Sequence, residues 1–129
     1  MMEIVWLLEE MIMAIHQRQI AEHGGSEGLR DEGLLSSALA RPQNIFAYRQ
    51  PPPDLAALAA AYAYGLARNH PFVDGNKRTA LIAARTFLLL NDANLEAGQD
   101  EKFLTFQRLA EGSLTEEELA DWIRKRTLD

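Results

Sequence analysis

Ile4, Val5, Leu7, Leu8, Met11, Ile12, Ile15 and Ile20 recur at three- and four-residue steps, with Glu9, Glu10, Gln17 and Arg18 among them. That period predicts an amphipathic first helix starting near Ile4 and ended by Gly24 and Gly25. After a polar loop, Asp31 is placed to cap a short helix carrying Leu34, Leu35, Ala38 and Leu39 on one side. Pro42 disfavours helical geometry at Arg41, so this helix is expected to stop there. Residues 43–49 then read as extended chain before three prolines, as a short β-hairpin or flap. Asp54 is a good N-cap for an alanine-rich helix reaching about Asn69, apolar nearly all round and so expected at the centre of the fold. A second apolar run over residues 79–90 predicts another helix, closing at Asn91-Asp92. Phe103, Leu104, Phe106 and Leu109 mark a modest helix ending near Gly112. Thr115 and Glu118 form a capping box that opens a last helix through Leu119, Trp122 and Ile123.

The pattern is that of an all-α chain with one core, taken as a single domain over residues 1–129. Composition agrees, with 47% apolar and 25% charged residues. Thirteen Lys and Arg against nineteen Asp and Glu give a net charge of −6, so no global field favours nucleic acid or an anionic membrane. Any anion site must be local. The chain has no cysteine, which removes disulfides, thiolate zinc sites and cysteine nucleophiles together. No apolar run is long enough to span a bilayer and no secretory signal is evident, so a cytoplasmic protein is expected.

The chemistry concentrates between the two central helices, in Asn69-His70-Pro71-Phe72-Val73-Asp74-Gly75-Asn76-Lys77-Arg78-Thr79. Pro71 should end the preceding helix at His70, leaving the imidazole at a helix C-terminus. Gly75 supplies backbone freedom where the next helix begins, and the free N–H groups from Gly75 to Arg78 then form an anion site. Lys77 and Arg78 oppose the helix dipole in a first turn, at a cost of about 0.3–1 kcal/mol each, so a negative ligand is expected against them. A nucleotide phosphate chain fits, with Arg78 able to make two parallel hydrogen bonds and Lys77 acting as a point charge. Asp74 is placed to share Mg²⁺ with those phosphates. His70 is the obvious general base, and Phe72 is a core anchor for the loop. Each residue also has a plainer explanation: Asp74 or Asn76 as a helix cap, Lys77 and Arg78 as solvated cations. Their concentration between two buried helices favours the functional one. His16 and His23, seven residues apart on one helix, could share a metal, but no third ligand stands at suitable spacing.

The stretch His70-Pro71-Phe72-Val73-Asp74-Gly75-Asn76-Lys77-Arg78 resembles the signature of the Fic/Doc superfamily. It looks specifically like the death-on-curing (Doc) toxin branch, whose pattern is His-x-Phe-x-Asp/Asn-Ala/Gly-Asn-Lys-Arg. Similarity extends to His23-Gly24-Gly25, Gly28-Leu29-Arg30-Asp31 and Ala40-Arg41-Pro42-Gln43. The resemblance implies the Fic/Doc (Fido) helical fold of about six helices with a small flap. The adenylyl-transferring Fic members look like His-Pro-Phe-x-Asp/Glu-Gly-Asn-Gly-Arg-x-x-Arg. Here Lys77 stands at their second glycine and Leu81 at their second arginine. In the Doc branch such changes accompany transfer of the terminal phosphate of ATP rather than AMP.

The resemblance therefore implies the toxin of a type II toxin–antitoxin system, a protein kinase that phosphorylates a hydroxyl side chain of a translation factor such as elongation factor Tu and arrests growth. Carried over by position, His70 deprotonates the target, Asp74 holds Mg²⁺, and Gly75, Asn76, Lys77 and Arg78 bind ATP. Ile45, Phe46, Ala47, Tyr48 and Arg49 occupy the place of the target-docking flap. A cognate antitoxin protein is implied as partner, with neither direct nucleic-acid binding nor a membrane role. Two alternatives stay open, an AMP-transferring enzyme and a catalytically idle module that binds nucleotide or partner.

Overall fold

A computed structural model describes residues 3–128. Six helices and one two-stranded ribbon make up the fold: α1 (Glu9–His23), α2 (Glu32–Tyr48), α3 (Leu55–Asn69), α4 (Asn76–Leu90), β1 (Asn94–Leu95), α5 (Gln99–Glu111), α6 (Glu116–Lys125) and β2 (Thr127–Leu128). The expected mostly helical architecture is what the chain adopts.

α3 is the axis of the core. Its alanines, Leu58, Tyr62 and Leu66 are buried on nearly every side, and α2, α4, α5 and α6 all pack on it. Small side chains allow that close approach, closest at Gly65, where an added Cβ would lie 3.0 Å from the Cα and Cβ of Ala38 on α2. Asp54 caps α3 by accepting the Ala57 N–H at 2.9 Å, and the Thr115–Glu118 box is complete in both directions. Asp31 likewise accepts from Leu34 at the start of α2.

Two expectations fail, both for tertiary reasons. Residues 4–8 form no helix, and α1 starts only at Glu9. Leu7 is buried and Trp6 half-buried, while Val5 and Leu8 are exposed, and main-chain groups of this segment bond distant side chains. Val5 exchanges hydrogen bonds with the Asn91 amide at 2.8 and 3.0 Å, and the Leu7 N–H donates to the Tyr62 hydroxyl at 3.0 Å. Trp6 packs between Phe46 and Phe87.

The second failure concerns the flap. α2 does not stop at Arg41 but runs through Pro42 to Tyr48, so Ile45, Phe46, Ala47 and Tyr48 are helical and form no hairpin, and Arg49 is the C-cap. Leu35, Ala38, Pro42, Ile45 and Phe46 form one apolar stripe at helical spacing, buried or half-buried. Burying that stripe offsets the hydrogen bond that proline removes from a helix interior, a loss of about 3 kcal/mol in an exposed helix. The ribbon β1–β2 pairs Asn94 with Leu128 and Leu95 with Thr127, antiparallel. No helix among the described residues is long and apolar enough to cross a membrane.

Candidate active site

α3 ends at Asn69 and the chain reverses at His70, which takes a left-handed conformation with φ 49° and ψ 58°. A non-glycine residue there needs outside support. Arg30 supplies it, donating through Nε to the His70 carbonyl at 2.7 Å and through Nη2 to that of Asn69 at 2.8 Å. The turn before α2 is further tied to the loop by Arg30 and Asp31 N–H bonds to the Pro71 carbonyl and by the Val73 N–H to the Gly28 carbonyl. His70 thus stands exposed at the end of a buried helix, as Pro71 predicts.

Phe72 is 1% exposed and anchors the loop in the core. Asn76 locks it from the other side. Its Oδ1 accepts the Phe72 N–H at 3.0 Å while its Nδ2 donates to the Phe72 carbonyl at 2.9 Å. The Asn76 side chain is therefore consumed within the protein, and what it can offer an anion is its main-chain N–H. Neither Asp74 nor Asn76 caps α4, whose N-cap is Gly75 at φ 77° and ψ 16°. Asp74 accepts the Gly75 N–H on Oδ1 at 2.8 Å and the Ser26 N–H on Oδ2 at 3.2 Å. Of the donors expected at the helix start, Gly75 is thus engaged, while Asn76, Lys77 and Arg78 keep N–H groups that find no acceptor among the described residues.

The charge arrangement around this helix end is unlike that of the others. α1, α2, α5 and α6 each carry acidic residues in the first turn, and α3 has Asp54 as its cap. α4 has a glycine cap, no acid in its first turn, and Lys77 and Arg78 exposed there. Its first turn holds no acid to offset the helix dipole, and the nearest carboxylate in sequence is Asp74, one residue ahead of the cap.

His70, Asp74, Gly75, Asn76, Lys77 and Arg78 all line one open cleft of about 510 Å³, within the range of small-molecule sites. Its other wall comes from Val73, Leu81 and, on α5, Phe103, Phe106, Ala110 and Glu111. The α5 part of that wall is not legible in the sequence, because only the packing of α5 against α3 and α4 brings it here. Ile45, Phe46, Ala47, Tyr48 and Arg49 line none of this cleft. Asp74 suits a divalent ion that arrives with phosphates. It is an exposed carboxylate whose oxygens each take one main-chain donor and keep a lone pair, and no group of three or more ligating residues forms a cage among the described residues.

The two histidines of α1 do not meet at a metal. His23 is exposed, whereas His16 is buried against Phe72 with Nε2 2.8 Å from the Asp74 carbonyl. A signal for His16 existed in the sequence: it interrupts an apolar row, midway between Ile12 and Ile20 at four-residue steps.

Comparison with known proteins agrees with this geometry. The Fic/DOC family model matches residues 6–88, more than half of the chain. The chain is 51% identical over 77 residues to a protein of Mycolicibacterium smegmatis named Toxin Doc, covering 60% of this chain and 59% of that one. It is 34% identical over 116 residues to Protein kinase doc of Escherichia phage P1, covering 90% of each. With the loop, the helix end and the matched span in agreement, the chain belongs to the Fic/Doc family.

Proposed function

We propose that this protein is a Doc-type toxin that transfers the terminal phosphate of ATP to a hydroxyl side chain of a protein target. The observation that carries the proposal is the mouth of α4: three unpartnered main-chain N–H groups, Lys77 and Arg78 share one open cleft with His70 and Asp74. In this proposal the N–H groups and both cations bind and neutralise the phosphate chain, and Asp74 shares Mg²⁺ with it, an ion that would supply further charge neutralisation when bound. His70 takes the proton of the incoming hydroxyl. The demands of phosphoryl transfer are mainly positioning and charge neutralisation, which such a site meets. The apolar α5 wall offers the nucleotide a base-facing side. Lys77 and Leu81 favour transfer of the terminal phosphate over AMP, for the reasons given by the motif, and the phage relative bears the name of a protein kinase. The target would be a translation factor of the elongation factor Tu kind, the consequence growth arrest in the cytoplasm, and the inhibitor a cognate antitoxin.

The test is incubation with Mg²⁺, elongation factor Tu and ATP labelled at either the α or the γ position. Protein-bound γ label, lowered at least about 100-fold by His70→Ala, is expected. Label from the α position would replace phosphate transfer with AMP transfer, and no label on any protein of a bacterial lysate would leave a binding module.

A further inference from the structure

We propose that His16 is a positioning residue for the phosphate site, holding the Asp74–Gly75 peptide with its carbonyl turned away from the cleft. This rests on the phosphate-transfer function proposed above. His16 lies on α1, which contributes no lining residue to the cleft and stands behind the loop. Its ring is 3% exposed and stacks on Phe72, with centroids 3.8 Å apart and planes 7° from parallel. Its Nε2 lies 2.8 Å from the Asp74 carbonyl oxygen. A carbonyl can only accept, so Nε2 carries the proton and donates.

The peptide so held needs holding. In a trans peptide the C=O and N–H point in opposite directions. With the Asp74 oxygen drawn back to His16, the Gly75 N–H faces the other way and is taken by Asp74 Oδ1 at 2.8 Å. Rotation of this peptide plane changes φ of the following residue, which is a glycine and tolerates either sign of φ. Nothing steric in residue 75 therefore prevents a flip. A flipped peptide would aim a carbonyl oxygen at the side where phosphate oxygens are expected and would release the carboxylate from its own N–H. The surroundings agree: the N–H of Ser26, in the loop after α1, holds Asp74 Oδ2, and on α1 itself a Cβ on Gly75 would meet Ile20 Cδ1 at 3.2 Å and the His16 ring at 3.7 Å. His16 thus supplies the hydrogen bond that selects one of two peptide orientations.

Two substitutions separate this role from plain packing. His16→Phe keeps the stacked ring and loses the donor; His16→Gln keeps a donor near Nε2 and loses the ring. For Mg·ATP, measured by calorimetry and by the KM and kcat of γ-phosphate transfer, His16→Phe is expected to weaken binding about tenfold, the equivalent of one hydrogen bond, and His16→Gln to stay near wild type. A core-packing role gives the opposite order, and that order, or equal behaviour of folded variants, overturns the proposal. Should either variant fail to fold, through-bond NMR coupling between His16 Nε2–H and the Asp74 carbonyl in the wild type decides, its absence being fatal. Wild type that binds no Mg·ATP would remove the proposed function itself, whereas wild type that binds it with His16→Phe unchanged removes only this assignment.

Discussion

Replacing Asn76 by alanine should damage the fold out of proportion to the residue's size. Both polar atoms of its side chain bond the main chain of Phe72, at 3.0 and 2.9 Å, in a place where Asn76 is 7% and Phe72 1% exposed. Removing the amide strands a buried N–H, worth about 1–3 kcal/mol, and a carbonyl that loses a further bond of about 1 kcal/mol. Alanine returns roughly 0.6 kcal/mol of helix propensity. The net loss is about 1.4–3.4 kcal/mol, a large share of the roughly 5–15 kcal/mol available to a domain of this kind. In urea denaturation at a slope of about 2 kcal/mol/M, the midpoint should fall by about 0.7–1.7 M with little change in slope. The neighbouring Lys77→Ala is the control, because Lys77 is exposed in a first turn that already holds Arg78. It should leave stability unchanged or raise it by about 0.3–1 kcal/mol while abolishing phosphate transfer. A midpoint shift below about 0.5 M for Asn76→Ala would show that the loop is not held by this amide.

Three further outcomes are expected. Gly25→Ala places a Cβ 2.7 Å from Asp74 Oδ2 at a φ of +120°, so it should displace the carboxylate and raise the Mg²⁺ requirement of phosphate transfer several-fold, seen in a magnesium titration. Gly65→Val drives a branched side chain into the backbone of Ala38; it should destabilise by about 1–3 kcal/mol in urea, and a neutral result would deny the close α2–α3 contact. The Asp54 carboxyl is held below the ordinary carboxylate range, first by its hydrogen bonds to Arg124 at 2.7 and 3.0 Å, then by the Ala57 N–H. A carboxyl with a lowered folded pKa contributes stability above its unfolded value and loses it as pH falls through the folded one. The stability difference between wild type and Asp54→Asn should therefore shrink below about pH 4, as urea melts at pH 6 and pH 3 would show.

The α3–loop–α4 unit was legible because its determinants are local. Asp54, Pro71 and Gly75 each fix the backbone within one turn of themselves, and the Thr115–Glu118 box does the same for α6. Local chemistry also identified the residues at the cleft mouth, since cations in the first turn of α4 are anomalous wherever that helix packs. Tertiary structure decided everything that depends on a partner far along the chain. Pro42 reads as a stop until α3 is there to receive the stripe running through it, and residues 4–8 read as helix until Asn91 and Tyr62 take over their main-chain hydrogen bonds. The inward turn of Asn76, the reach of His16 to Asp74 and the α5 wall are of the same kind. A side chain's periodicity states which face of its own helix it occupies, but which atom it meets at a separation of 58 positions, as His16 meets Asp74, is fixed only when the helices close on a common core.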